Sequence, residues 1–125
     1  MRDENPTAHE RRHMPRVETQ FLVKFRPLGA ARGKWNMTPL KNLSTTGVRF
    51  TAAYACTPGT ALELQLLLPT IAMPVHVVGH VTWTRPSSVP RFMDCGVEFT
   101  DVLPTQREGI EKLVTLYRSR KRTAR

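Results

Sequence analysis

The chain has 125 residues, 40% of them hydrophobic and 23% charged, which fits one globular domain and excludes a largely disordered protein. No stretch approaches the ~18 uninterrupted apolar residues of a membrane span, and residues 1–30 lack a signal-peptide core, so we expect a cytoplasmic protein without a membrane span. The formal net charge is +9, but residues 118–125 hold five cations and no acid, and we expect this basic tail to be solvated.

The first 16 residues are polar and show neither helical nor alternating periodicity. We expect a flexible N-terminus over residues 1–9, followed by an extended arm that contains Arg12 and Arg16. Because Pro15 fixes its own φ and disfavours helix at the preceding residue, the two guanidinium groups lie on extended chain, up to ~13 Å apart. Guanidinium forks bind phosphate oxygens and the O6/N7 edge of guanine. Taken alone, the spacing favours two solvated arginines over a binding site.

Six segments after the arm show the alternation of half-buried strands. The first places Phe21, Val23 and Phe25 on one face and cationic residues on the other. The other strands are expected over residues 35–43, 48–52, 62–68, 75–83 and 93–99. In the fifth strand, the alternation places Trp83 on the same face as Val75, Val77 and Val81. Short strands separated by turn residues predict an antiparallel barrel or sandwich.

The end of the chain changes to a helical period. Pro104 suits the first turn of a helix, and Thr105 with Glu108 matches a capping box. The apolar residues then follow helical spacing at Ile110, Leu113, Val114 and Tyr117. One face of the helix is therefore apolar, and we expect it to pack on the barrel or on a partner.

No arrangement of side chains predicts an enzyme. His76 and His80 are four residues apart on a strand, about 13 Å, which is too far for one metal ion. Ser44 lacks the GxSxG setting of a nucleophile, and the chain has no phosphate-binding loop or dinucleotide motif. Cys56 and Cys95 are too few for a disulfide framework or zinc site, and we expect two reduced, buried thiols.

A polar turn at residues 44–47 carries the second group of candidate binding residues. Asn42 and Ser44 are two residues apart and face the same side at a strand end. The Asn42 carbonyl can accept from base N–H groups, and the Ser44 hydroxyl can contact phosphate or base. Gly47 can take a positive φ or let a ligand approach the backbone. By itself, the segment favours a turn built for local reasons.

The two groups together resemble the PilZ domain family: an Arg-x-x-x-Arg arm leads into an apolar strand, and Asn-x-Ser-x-x-Gly closes a later strand. The resemblance runs from about Glu10 to the C-terminal helix and includes residues 79–85 and 96–99. It implies a PilZ domain over residues 10–117. The implied fold is mostly β, a six-stranded antiparallel β-barrel with a C-terminal α-helix and an extended N-terminal arm.

The family binds the bacterial second messenger cyclic di-GMP. The resemblance implies ligand-binding roles for Arg11, Arg12, Arg16, Asn42, Ser44 and Gly47. The last two arginines would grip phosphates and guanine edges, the Asn and Ser would contact guanine or phosphate, and the glycine would allow close approach. Asn42 stands where the family more often has Asp, and it keeps an acceptor. An arginine at the position of Arg11 accompanies a self-stacked ligand dimer in the family, so we expect two ligands per site.

The resulting prediction is a cyclic di-GMP receptor whose N-terminal arm changes conformation on binding and thereby regulates a partner protein. The alternative keeps the fold without the ligand: a protein-interaction adaptor that uses the apolar helix face or the basic tail. A nucleic-acid-binding barrel fits the high pI. It is disfavoured because the aromatic residues stand mostly at core-facing positions and leave no surface for base stacking. We therefore expect no nucleic-acid partner and no cofactor besides the ligand.

Overall fold

The computed structural model of the protein describes residues 20–29, 33–53, 56–68 and 73–123, with only the backbone for residues 121–123. The strands are β1 (Leu22–Pro27), β2 (Asn36–Leu43), β3 (Gly47–Ala52), β4 (Ala61–Leu67), β5 (Val75–Pro86) and β6 (Met93–Thr100). They are followed by the helix α1 (Pro104–Thr123). Each predicted strand is present, with bounds that differ from the prediction by at most three residues.

The six strands form a closed antiparallel barrel in the order β1-β2-β3-β6-β5-β4. Every neighbouring pair is antiparallel, including β1 with β4, which closes the barrel and removes any free sheet edge. The predicted six-stranded antiparallel barrel with a C-terminal helix is confirmed.

Alternate residues of the strands fill the inside of the barrel. Burial alternates strictly along β4, as expected for a strand with one face in the core. The rings of Phe25 and Phe50 meet at the centre with centroids 4.6 Å apart, and both are almost fully buried. Burial of one such side chain contributes roughly 1.5–3 kcal/mol. Cys56 and Cys95 are free thiols within this core, as predicted.

The helix begins two residues earlier than the predicted capping box requires. The Leu103 carbonyl accepts the first helical hydrogen bond, from the Arg107 N–H at 2.8 Å, so Leu103 is the N-cap and Pro104 the first helical residue. The Gln106 side chain accepts from the Leu103 N–H at 2.8 Å. The predicted Thr105–Glu108 box is therefore wrong, because Pro104 has no N–H to satisfy and already starts the helix at its own position.

The apolar face of α1 covers one end of the barrel. Ile110, Leu113 and Val114 are buried in the core cluster. Tyr117 lies edge-on to Phe21 at 5.4 Å, and its hydroxyl donates to the Lys41 carbonyl at 2.9 Å. The helix therefore closes the barrel end at which β1 starts and β2 ends. Within the described residues, no helix has the length and apolar character that crossing a membrane requires.

Candidate functional site

A polar groove lies on the outside of the barrel, across β2, β3, β6 and β5. Its cavity volume is about 230 Å³. The strand register aligns four of its residues in one row, because Asn42 is opposite Arg49, Arg49 is opposite Gly96, and Gly96 is opposite Trp83. Ser44 and Gly47 line the same groove. The structure thus brings together all three residues predicted from the Asn-x-Ser-x-x-Gly motif.

The amide of Asn42 has a defined orientation at the end of β2. Its Oδ1 accepts a hydrogen bond from the Leu43 N–H at 2.9 Å. A backbone N–H requires an oxygen there, so the two N–H donors of the amide are the groups that Asn42 presents to the groove. The Asn42 carbonyl, which we expected to contact the ligand, already accepts one hydrogen bond from the neighbouring backbone.

Ser44 and Gly47 build the turn between β2 and β3. The Ser44 N–H donates to the Gly47 carbonyl at 2.9 Å, and the Ser44 hydroxyl accepts from the Thr46 N–H at 3.2 Å. A Cβ on Gly47 would collide with the Val97 carbonyl. Gly47 does not have a positive φ, so the packing of β3 against β6 already requires glycine here. Ser44 and Gly47 therefore stabilise the turn itself, and both residues also line the groove.

Trp83 lies on the groove side of the barrel, and its predicted position on the core face is wrong. Val81 pairs with Val97 and Trp83 pairs with Gly96, so Thr82 is an extra residue in β5. Such a bulge reverses the alternation that follows it. Because Val97 on β6 is buried in the core, its neighbour Gly96 faces outward. Trp83 is therefore an aromatic residue on the outer face of the barrel, where a base could stack on it.

Gly96 provides the space in which the Trp83 indole lies against the barrel wall. A Cβ at this position would overlap Nε1 and Cε2 of the ring. The Arg85 guanidinium lies 5.1 Å from the ring centroid, within the range of a cation–π contact. The indole is half-buried and forms an aromatic part of the groove lining.

Beside this groove, the buried carboxylate of Asp94 forms ion pairs with Lys41 and Arg85. Asp94 is 7% exposed, and its Oδ1 accepts from the Thr51 hydroxyl at 2.7 Å and from Lys41 Nζ at 3.3 Å. Arg85 Nε lies 3.8 Å from Oδ2. The Thr51 hydrogen bond, opposed by burial and helped by Lys41 and Arg85, lowers the pKa of Asp94 below its ordinary 3.8. Asp94 is therefore ionised at neutral pH, and two neighbouring cations share its single negative charge.

Sequence reasoning missed Trp83, Arg49 and Asp94 as residues of the site. Alternation already placed Arg49 on the outer face, between the inward Val48 and Phe50, so a signal existed for it. The bulge that turns Trp83 outward has no comparable pattern in the sequence.

The three predicted arginines Arg11, Arg12 and Arg16 lie outside the described residues. The point at which their segment joins the barrel is defined: the Phe21 carbonyl accepts from the Leu40 N–H at 3.1 Å. Leu40 stands two residues before Asn42 on β2. The chain therefore enters the barrel beside the strand end that carries the polar turn.

A second cavity, of about 500 Å³, lies on the opposite flank and includes Arg26, Trp35 and Glu63. The Arg26 guanidinium contacts three other residues of the protein there. Its Nε donates to Glu63 at 2.8 Å, another nitrogen donates to the Gly33 carbonyl at 3.1 Å, and it stacks on Trp35 at 4.2 Å. Its described lining includes none of the predicted site residues, and its arginine already has a carboxylate partner.

Comparison with protein families matches residues 10–116 to the PilZ domain. This chain belongs to the PilZ domain family. Sequence comparison with curated proteins finds no match. Among solved structures, the fold resembles the Bacillus subtilis inhibitor of motility MotI/DgrA, with a TM-score of 0.63, 15% identity and coverage of 84% of this chain and 50% of that one. It also resembles apo MrkH of K. pneumonia, with a TM-score of 0.63, 16% identity and coverage of 83% and 49%.

The chain thus spans about half the length of each of these PilZ-fold structures. At such low identity, the likeness establishes the barrel and its helix and leaves the site to be argued from its own residues.

Proposed function

We propose that this PilZ protein is a cyclic di-GMP receptor without chemistry of its own, which regulates a partner protein through its N-terminal arm. The observation that carries the proposal is the single groove shared by Asn42, Ser44, Gly47 and Trp83. The motif residues and an outward indole, which lie far apart in sequence, meet on one surface of the family's barrel.

The groove has the chemical groups that a purine dinucleotide needs. The Asn42 amide and Ser44 hydroxyl supply hydrogen-bonding groups, and Trp83 supplies an aromatic surface on which a base can stack. Its volume of about 230 Å³ is below the ~300–1,000 Å³ of pockets that enclose a ligand. A cyclic dinucleotide bound there therefore needs another segment to cover it.

The N-terminal arm supplies that segment in our proposal. Arg16 precedes Phe21 by five residues, and an extended chain of this length reaches up to about 17 Å. The barrel entry point beside Leu40 brings the groove within this reach. Arg12 and Arg16 then grip phosphates and guanine edges, as the family resemblance implies, and the ordered arm presents a new surface to the partner protein.

Isothermal titration with cyclic di-GMP, with GTP and cyclic AMP as controls, tests the proposal. We expect binding of the cyclic dinucleotide only, and we expect the double variant R12A/R16A to lose binding at micromolar ligand. R107A/K112A is the matched control, because it removes two exposed cations from α1, away from the groove. Unchanged affinity in R12A/R16A would refute the arm assignment, and no binding by the unsubstituted protein would refute the receptor function.

The alternative function, a protein-interaction adaptor, was expected to use either the apolar face of the helix or the basic tail. The helix face that it would use, at Ile110, Leu113 and Val114, is buried on the barrel. A partner that contacts the protein at α1 must therefore use the polar side of the helix or the basic tail. The groove residues, in contrast, remain accessible for a ligand.

A further inference from the structure

Arg49 is a cation of the groove that has no ion pair within the described residues. Its side chain is half-buried and lines the cavity, and β3 holds it directly between Asn42 on β2 and Gly96 on β6. Across the described part of the chain, its guanidinium has no hydrogen bond or ion pair with another residue. Its positive charge does act on Tyr117, lowering the pKa of that hydroxyl against the larger upward effect of burial.

The neighbouring outward basic residues differ from Arg49 because each lies near a carboxylate. Lys41 and Arg85 share the carboxylate of Asp94, at 3.3 and 3.8 Å. His80 Nε2 lies 3.6 Å from Glu98. The two acids on the outer face of β6, at positions 94 and 98, thus already have basic neighbours. Among the described residues, no carboxylate therefore remains for the guanidinium that stands between them on β3.

The position of Arg49 suits a phosphate better than a protein carboxylate. In the row Asn42–Arg49–Gly96–Trp83, adjacent strands are about 4.8 Å apart, so the guanidinium stands between the amide donors and the indole that covers Gly96. A base stacked on Trp83 therefore places its sugar-phosphate within reach of the guanidinium fork, which matches phosphate oxygens in geometry and charge.

We propose that Arg49 binds a phosphate of the ligand, as a third class of contact besides the arginine arm and the Asn-x-Ser-x-x-Gly turn. The inference rests on the proposed cyclic dinucleotide function and deepens it. Because β3 is part of the closed barrel, this contact is preorganised, unlike a contact that requires the arm to be ordered first. Arg49 therefore gives the barrel phosphate affinity independent of the arm.

Titration of cyclic di-GMP into R49A, R49K and the unsubstituted protein tests the inference. We expect R49A to bind roughly 5- to 150-fold more weakly, the range for one bidentate guanidinium contact. R49K should bind with intermediate affinity, since lysine keeps the positive charge that attracts phosphate but loses the bidentate geometry of the guanidinium. R107A, which removes an exposed cation away from the groove, should bind like the unsubstituted protein. Thermal melts should show folded variants, because Arg49 has no ion pair to lose.

The possible results separate this inference from the proposed function. If the unsubstituted protein binds and R49A binds equally well, Arg49 is not a ligand contact and the receptor function stands. If R49K falls to the level of R49A, a positive charge at this position adds nothing to binding, and the phosphate assignment is wrong. If the unsubstituted protein does not bind, the receptor function and this inference both fail.

Discussion

Gly96 is the residue at which one added methyl group should remove the stacking surface of the groove. In G96A the new Cβ would overlap Nε1 of Trp83, so we expect the indole to be displaced. Such overpacking costs roughly 1–3 kcal/mol of stability, and loss of a stacked base costs a similar amount of binding free energy. Denaturation and cyclic di-GMP titration measure the two effects. Trp83 fluorescence in a W35F background, where it is the only tryptophan, reports the displacement.

A double-mutant cycle identifies the origin of this effect. If the collision with the indole is responsible, G96A should cost much less stability in a W83A background than in the unsubstituted protein. Additive costs would instead show that the methyl group disturbs the backbone of β6, and the packing role assigned to Gly96 would be wrong.

Asp94 is the residue through which four strands meet on the outer face of the barrel. From β6 it accepts from Thr51 on β3 at 2.7 Å and from Lys41 on β2 at 3.3 Å, and Arg85 on β5 lies 3.8 Å away. The Thr51 hydrogen bond above all lowers its pKa in the folded protein below the ordinary 3.8. Stabilisation by this carboxylate is therefore present above the unfolded-state pKa and is lost as the pH falls through the folded-state pKa.

We therefore expect D94N to be less stable than the unsubstituted protein by a constant amount between about pH 5 and pH 7, because the carboxylate is ionised in both states there. Below about pH 4 the difference should shrink as Asp94 takes up a proton. Thermal denaturation of both proteins across this range measures the difference. A gap that stays constant as the pH falls through the folded-state pKa would contradict the lowered pKa.

The strands show which parts of the structure the sequence could predict. Alternation along Phe21, Val23 and Phe25 identifies β1 because one face of a barrel strand is apolar and the other polar. The helical spacing of Ile110 and Leu113 identifies the face of α1 that packs on the barrel in the same way. Both signals are local, and both are confirmed.

Two features could not be predicted because they depend on what lies opposite a residue. The extra Thr82 becomes a bulge only through the pairing of β5 with β6, and it decides whether Trp83 faces the core or the outer groove. The alternation of β3 shows that Arg49 faces outward. Its lack of a carboxylate partner within the described part of the chain, however, depends on the contacts of Asp94 and Glu98 with other strands. The motif residues could be identified, whereas the indole and the central arginine required the register.

At the scale of the whole molecule, the proposed ligand contacts come from two parts of the protein, the N-terminal arm and the barrel. The barrel is a closed sheet that holds Asn42, Arg49 and Trp83 in fixed register. The arm joins it at Phe21, where a backbone hydrogen bond to Leu40 fixes the point of entry. A ligand that contacts both parts should therefore stabilise the folded protein by more than its barrel contacts alone allow.

The dependence of the free energy of unfolding on ligand concentration reports how many ligand molecules bind to the folded protein. At ligand concentrations far above the dissociation constant, each bound molecule adds about 1.4 kcal/mol to the free energy of unfolding for every tenfold increase in free ligand. Two cyclic di-GMP molecules per site, as the arginine at position 11 implies through the family resemblance, give about 2.8 kcal/mol. Chemical denaturation at two ligand concentrations a factor of ten apart measures this increment. We expect R11A to reduce it to about 1.4 kcal/mol, because only the contact to the second molecule is lost, whereas R107A should leave it unchanged. An increment of 1.4 kcal/mol in the unsubstituted protein would show a single bound ligand and contradict the role of Arg11.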